Sequence, residues 1–187
     1  SIFTEQSFKW FDPASGMGNF PVAVYLKLME GLKMQIPNDE ERKKHIIENM
    51  LYMSELNKKN VFISHQIFNM NNQYKLNLYE GDTLELDIVS VWGLELNSFD
   101  VILGNPPYQE SNINLSSKGG TNLYTKFMNH GFNLLKENGF LMFINPISFI
   151  GPSTNKQMGS DILHNIFLKY DLHYWNMNEC KKYFKGI

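Results

Sequence analysis

Apolar and polar positions along the chain change period several times, and each change marks the start of a new element. Residues 7–11 form a short run of β type that stops at Asp12-Pro13. A glycine-containing turn then leads into Val22, Leu26, Met29 and Leu32 at helical spacing, with Pro21 suited to the first helical turn. Pro37 ends that helix, and Asn38-Asp39-Glu40 can cap another running through Ile46, Ile47 and Met50. A short strand over 51–54, a helix over 57–69 and an alternating strand over 74–79 follow, before Gly81-Asp82. Residues 99–103 read as a short buried strand running into Gly104-Asn105-Pro106-Pro107-Tyr108, and 109–122 as a loop. A helix over 123–136, the turn Asn138-Gly139 and a strand over 140–144 ending at Pro146 come next, then a helix over 161–170 and a strand over 172–175. Strands alternating with helices predict an α/β fold, a mostly parallel sheet with helices on both faces.

In an open sheet of this kind, ligands bind beyond the carboxyl ends of the strands. The unusual residues fall there: 12–20 after the first strand, Glu55 after the second, Asp82 after the third, 105–108 after the fourth and Asn145-Pro146 after the fifth. Gly16-Met17-Gly18 opens like a dinucleotide fingerprint, but Pro21 stands where the third glycine belongs, so a dehydrogenase reading fails.

Composition narrows the picture. The 187 residues, 43% hydrophobic and 19% charged, suffice for one packed domain, expected to span 1–187. A single cysteine, Cys180, excludes an intrachain disulfide and any thiolate cluster for structural zinc, which points to a reducing, cytoplasmic setting. No apolar run approaches the roughly 18 residues of a membrane span, so no membrane partner is expected. The five histidines show no metal-ligand spacing and read as structural, and no metal site is expected. A net charge of −2 supplies no global field for a nucleic acid, which taken alone weighs against a DNA or RNA substrate. The chain begins with Ser1 rather than Met, the expectation for a fragment of a larger protein.

The string 12–20, DPASGMGNF, resembles the first motif of S-adenosylmethionine-dependent methyltransferases, in the form found in adenine-N6 DNA methyltransferases of restriction-modification systems. Residues 99–110, FDVILGNPPYQE, are similar to the fourth motif of the Eco57I-like and type I and IIG modification enzymes, and 123–146 to the helix and strand that follow it. The motif order matches the gamma arrangement. The resemblance implies a Rossmann-like class I methyltransferase fold, with the last strand expected beyond Ile187 and a target recognition domain not present in this chain.

It also implies site roles. Asp12, Pro13, Ala14, Gly16, Gly18, Asn19 and Phe20 would approach the methionine part of the cofactor, Glu55 the ribose hydroxyls, Asp82 the adenine amine, and Phe127 would border the cofactor from the helix. Asn105, Pro106, Pro107 and Tyr108 would be catalytic. An aromatic amine is a poor nucleophile because its lone pair is delocalised into the ring. Two acceptors, the Asn105 side chain and the Pro106 carbonyl, can take its hydrogens and localise that lone pair, while the prolines aim the carbonyl beforehand. Tyr108 would stack on the target base and Phe184 would cover its other face, with Lys181, Lys182 and Lys185 nearby for phosphates. The expected partners are double-stranded DNA, through a recognition domain or subunit outside this chain, and a restriction or specificity subunit.

Plainer readings stay open at this level. Glu55 and Asp82 also fit solvated carboxylates at element ends, Phe127 an ordinary core residue, and 181–187 a surface tail. The same tetrad serves enzymes that methylate release-factor glutamine or ribosomal RNA amines, and cytosine N4 methylation is a further option, though Ser or Asp more often replaces the Asn there. A further alternative is a non-catalytic module with a methyltransferase fold. The 93 positions from Asp12 to Asn105 are longer than the usual span in release-factor and RNA enzymes.

Overall fold

A computed structural model of the chain describes residues 1–108, 123–145, 169–174 and 176. The chain divides into two compact units, Ser1–Ile144 and Asn145–Ile187. In the first, five strands lie side by side in the order β3-β2-β1-β4-β5, all parallel: β1 Trp10–Asp12, β2 Leu51–Glu55, β3 Asn77–Glu80, β4 Phe99–Gly104 and β5 Leu135–Phe143. The order reverses between β1 and β4, which makes the carboxyl ends of these two strands the switch point where a ligand crevice opens.

Alternation along the strands distributes side chains to two cores. Trp10, Leu51, Met53, Val101 and Leu103 face one side, against Val24 and Leu28 of α1 (Asn19–Gly31) and Phe68 of α3 (Lys58–Asn69). Phe11, Tyr52 and Ile102 face the other, against Ile88 of α4 (Ile88–Trp92) and Leu134 of α5 (Leu123–Leu134). Phe99 and Val101 would share a face in a regular strand, yet they belong to opposite cores. A register shift between them accounts for this: the Lys9 carbonyl accepts from both Asp100 N and Val101 N, and the Asp100 side chain accepts from Lys9 N at 2.8 Å. Lys136 closes the bulge with an ion pair to Asp100 at 2.8 Å.

The helices follow local signals. Asn38 caps α2 (Asp39–His45) by accepting from Glu40 N and Glu41 N, and one π turn, Ile46–Met50, carries the chain into β2. Buried Arg42 turns back to the carbonyls of Ile36 and Pro37 and to Asp39, tying the connection between α1 and α2 to the second helix. Tyr124, Phe127, Gly131 and Leu134 form the buried stripe of α5.

Two boundaries and two elements differ from the pattern reading, one of the boundaries being the start of β5 at Leu135, inside the helix expected to reach 136 and ahead of the strand expected from 140. The third strand starts at Asn77, not at 74, because the Asn69 side chain occupies both backbone groups of Tyr74 (2.7 and 2.9 Å). The short helix α4 was not anticipated, although Asp87 caps it at one end and Gly93, at φ 68°, at the other. Residues 169–174 and 176 contain no helix or strand, so the strand expected over 172–175 does not form in its described part. Leu172 and Tyr174 are exposed, and alternating apolar residues make a strand only where a neighbour supplies the ladder. The helix expected over 161–170 lies almost wholly outside the described residues. Among the described residues no helix is long and apolar enough to cross a membrane.

Candidate cofactor and methyl-transfer site

The turn after β1 is built by two glycines in the left-handed region. Gly18, at φ 88°, also lies 3.3 Å, measured from the Cβ it lacks, from Ser64 Oγ, so any side chain there meets both strain and α3. Gly18 is the N-cap residue of α1 and makes no side-chain cap, so the first N–H groups of a 13-residue helix face the turn with no side chain of their own to answer them. Gly16, at φ 56°, has open space where its Cβ would be, and its N–H donates to Glu55 Oε2 at 2.8 Å.

Asp12 ends β1 and is 2% exposed. Its Oδ1 accepts from Ala14 N at 3.0 Å, while Oδ2 is buried with no hydrogen-bond partner among the described residues. Burial pushes its carboxyl up to about 7, the Ala14 bond opposes the rise, and the charge of Glu55 adds to it. Gly104, the last residue of β4, is obligatory beside it, since a Cβ there would stand 2.8 Å from Asp12 Oδ1. The ends of β1 and β4 thus come together at Asp12 and Gly104, the residue that precedes the tetrad.

Glu55 ends β2, where Oε1 accepts from Asn57 N (2.7 Å) and Asn60 Nδ2 (3.3 Å). Three of the roughly four acceptor positions of the carboxylate are therefore in use. Asp82 follows β3 and caps a short 3-10 turn through Leu84 N at 3.0 Å, the turn-aspartate role weighed from sequence. His130 of α5 lies within electrostatic reach of Asp82; burial lowers the histidine's pKa and the carboxylate opposes the drop. Phe127 stands three residues before His130 on the same face of α5, and it is 6% exposed.

Pro106 is fully buried and anchors the tetrad, whereas Asn105, Pro107 and Tyr108 are exposed. The Tyr108 hydroxyl donates to Asn105 Oδ1 at 2.9 Å, and the Tyr108 carbonyl accepts from Leu123 N at 3.1 Å. Pro13 is buried, Ala14 and Phe20 half-buried, and Asn19 exposed at the start of α1. Phe184 and the lysines at 181, 182 and 185 lie outside the described residues, as does Pro146. No group of three metal-ligating side chains occurs among the described residues. The sequence reading missed Ser15, Ser54 and Thr83, buried hydroxyls that stand beside the expected cofactor residues; only their position next to Gly16, Glu55 and Asp82 could have flagged them.

A parallel sheet in this order, with a glycine turn after β1 and acidic residues ending β2 and following β3, defines the Rossmann-like class I methyltransferase fold. Residues 22–177 match the Eco57I restriction-modification methylase family, and the chain belongs to that family. The fold is similar to that of the type I restriction-modification methyltransferase subunit from Streptococcus thermophilus: 20% identity, TM-score 0.56, over 87% of this chain and 34% of that one. It is also similar to a chain of a type I restriction-modification system in a study of complex assembly (19%, TM-score 0.58, 84% and 31%). A third likeness is to the ATP-dependent Type ISP enzyme LlaBIII bound to DNA (19%, TM-score 0.55, 79% and 13%). The chain spans about a third of the length of the type I modification subunits it matches. No curated protein matches it in sequence.

The cofactor of this fold and family is S-adenosylmethionine, and the residues present suit it. The uncapped start of α1 answers a carboxylate, the open space over Gly16 admits a ligand against the backbone, and the unpartnered Asp12 Oδ2 is an acceptor for an ammonium group.

Proposed function

We propose that the protein methylates the exocyclic N6 amine of an adenine flipped out of double-stranded DNA. The observation that carries this reading is the close approach of Gly104 to Asp12, which supports a placement of Asn105 and its neighbours beside the loop after β1. Membership of a restriction-modification methylase family supports DNA as the substrate.

When bound, S-adenosylmethionine supplies an electrophilic methyl group on a sulfonium sulfur. Asn105 Oδ1 and the Pro106 carbonyl accept the two hydrogens of the target amine, which turns its lone pair out of conjugation and toward that methyl. With the amine so held, its nitrogen would take the methyl group that the cofactor supplies, leaving S-adenosylhomocysteine, and the extra amine proton would pass to solvent. The bond from the Tyr108 hydroxyl holds the Asn105 amide oxygen in place. A carbonyl oxygen has two lone pairs, so Asn105 keeps the 2.9 Å bond from Tyr108 while accepting from the base. The ring of Tyr108 stacks on the base, worth about 1–3 kcal/mol, and Phe184 covers the opposite face. Holding amine and methyl in line contributes on the order of 7–11 kcal/mol.

On the cofactor side, Asp12 and the 13–20 turn hold the methionine end, Asp82 accepts from the adenine amine and Phe127 borders it. Glu55 accepts from the ribose. With three acceptor positions already used, taking both hydroxyls requires its longest bond, 3.3 Å from Asn60, to open. A recognition domain or subunit outside this chain supplies the base reading and the positive field that a net charge of −2 does not, and a restriction or specificity subunit is the natural assembly partner.

The test offers labelled S-adenosylmethionine to the intact protein with duplex DNA, ribosomal RNA or a release factor. Label is expected in DNA alone; label in the RNA or in release-factor glutamine would refute the substrate assignment.

A further inference from the structure

A buried hydroxyl relay runs beneath the proposed cofactor residues and joins three strand ends. Thr83 Oγ1 donates to the Pro13 carbonyl at 2.5 Å and lies 2.6 Å from Ser54 Oγ. Ser15 donates to the Ser54 carbonyl from both its backbone N (3.0 Å) and its Oγ (3.3 Å). All three side chains are buried, Ser54 completely. The direction of the relay is fixed by counting protons. The carbonyl of Pro13 only accepts, so the one hydroxyl proton of Thr83 is committed there, and the Ser54 hydroxyl must be the donor to Thr83.

Each member adjoins a residue that faces the cofactor in the reading above: Ser15 precedes Gly16, Ser54 precedes Glu55 and Thr83 follows Asp82. A fourth bond, Gly81 N to the Glu55 carbonyl at 3.0 Å, holds the turn before Asp82 to the end of β2. None of these groups reaches the crevice itself. Their common effect is to fix the spacing between the methionine loop, the ribose carboxylate and Asp82, three elements that come from separate strands.

We propose that Thr83 is a positioning residue for S-adenosylmethionine, locking the loop after β1 and the ends of β2 and β3 into the spacing that one ligand must span. The proposal rests on the assignment of the cofactor site made above. It separates the hydroxyl of Thr83 from its bulk: valine keeps the volume but strands the Pro13 carbonyl and the Ser54 hydroxyl, whereas serine keeps the relay.

The experiment is calorimetric titration of S-adenosylhomocysteine into the intact protein and its Thr83→Ser and Thr83→Val variants, with ligand-free thermal unfolding recorded alongside. Thr83→Ser should bind within about twofold of the parent, and a folded Thr83→Val about tenfold more weakly, the scale of one hydrogen bond in a binding constant. In turnover, the KM for S-adenosylmethionine should rise for Thr83→Val while the KM for DNA stays put. Parental affinity in folded Thr83→Val, or an equal loss in Thr83→Ser, would overturn the role. Should Thr83→Val not fold, Ser54→Ala decides: it leaves the bond to Pro13 intact and should weaken binding about threefold, and unchanged affinity would refute the relay. A parent protein that does not bind the ligand would instead overturn the cofactor assignment beneath the proposal.

Discussion

Asn105→Ala should lower the rate of methyl transfer by about 10²–10³-fold, the scale seen when a preorganised hydrogen-bonding group is removed from a site of developing charge. Cofactor affinity should stay within about twofold, because Asn105 is exposed just after β4 and it is its neighbour Gly104 that meets Asp12. Tyr108 offers a graded control. Tyr108→Ala removes both the stacking ring and the donor to Asn105 Oδ1, whereas Tyr108→Phe keeps the ring and loses only the 2.9 Å bond, so the order of rates should be parent, then Phe, then Ala. Single-turnover kinetics at saturating cofactor measure this directly. Equal rates for Asn105→Ala and the parent would remove the tetrad from the chemistry.

The second large effect concerns Asp12 and runs against ordinary expectation, since a neutralising substitution at a buried motif residue should stabilise the ligand-free fold. Burial raises its carboxyl from 3.8 to about 7. The folded state therefore holds this proton more tightly than the unfolded chain does. The contribution of Asp12 to stability is highest below pH 4, falls as pH rises toward 7, and is a net cost above it. A shift of about 3 units corresponds to a cost of up to about 4 kcal/mol at pH 8. Asp12→Asn keeps an oxygen for Ala14 N and carries no charge, so it should be more stable than the parent at pH 8 and nearly equal to it at pH 4. Denaturant unfolding at several pH values checks it, and a difference that does not change with pH would contradict the buried charge. The same variant should bind S-adenosylmethionine more weakly, because the Oδ2 that costs stability is the acceptor we propose for the cofactor.

Much of this arrangement is legible from residue patterns because the signals are local. Asn38 and Asn57 cap the helices they precede, and the paired glycines after β1 occupy a left-handed turn, but the stripe read over α1 is displaced, since Leu26 is 62% exposed while Val24 and Leu28 are buried. The motif residues gather because parallel strands necessarily deliver their carboxyl ends to one edge of the sheet. What the pattern could not supply depends on partners distant in sequence. Asp100 looks like a polar position in a strand, and only its bonds to Lys9 and Lys136 reveal a bulge. Asn69 shortens β3 by pairing with Tyr74, and nothing in 74–79 announces it. Thr83 and Pro13 are 70 positions apart, so the relay between them exists only in three dimensions. Net charge misleads for a related reason: it is a whole-chain quantity, whereas the proposed chemistry is decided by four residues at one strand end.

The central claim is that the 105–108 tetrad directs methyl transfer to adenine N6 in DNA. Its most direct test is nucleoside mass spectrometry of duplex DNA after incubation with the intact protein and S-adenosylmethionine. The account predicts N6-methyldeoxyadenosine with the parent protein and none above background with Asn105→Ala; N4-methyldeoxycytidine, or unmodified DNA from a protein that binds the cofactor, would contradict it.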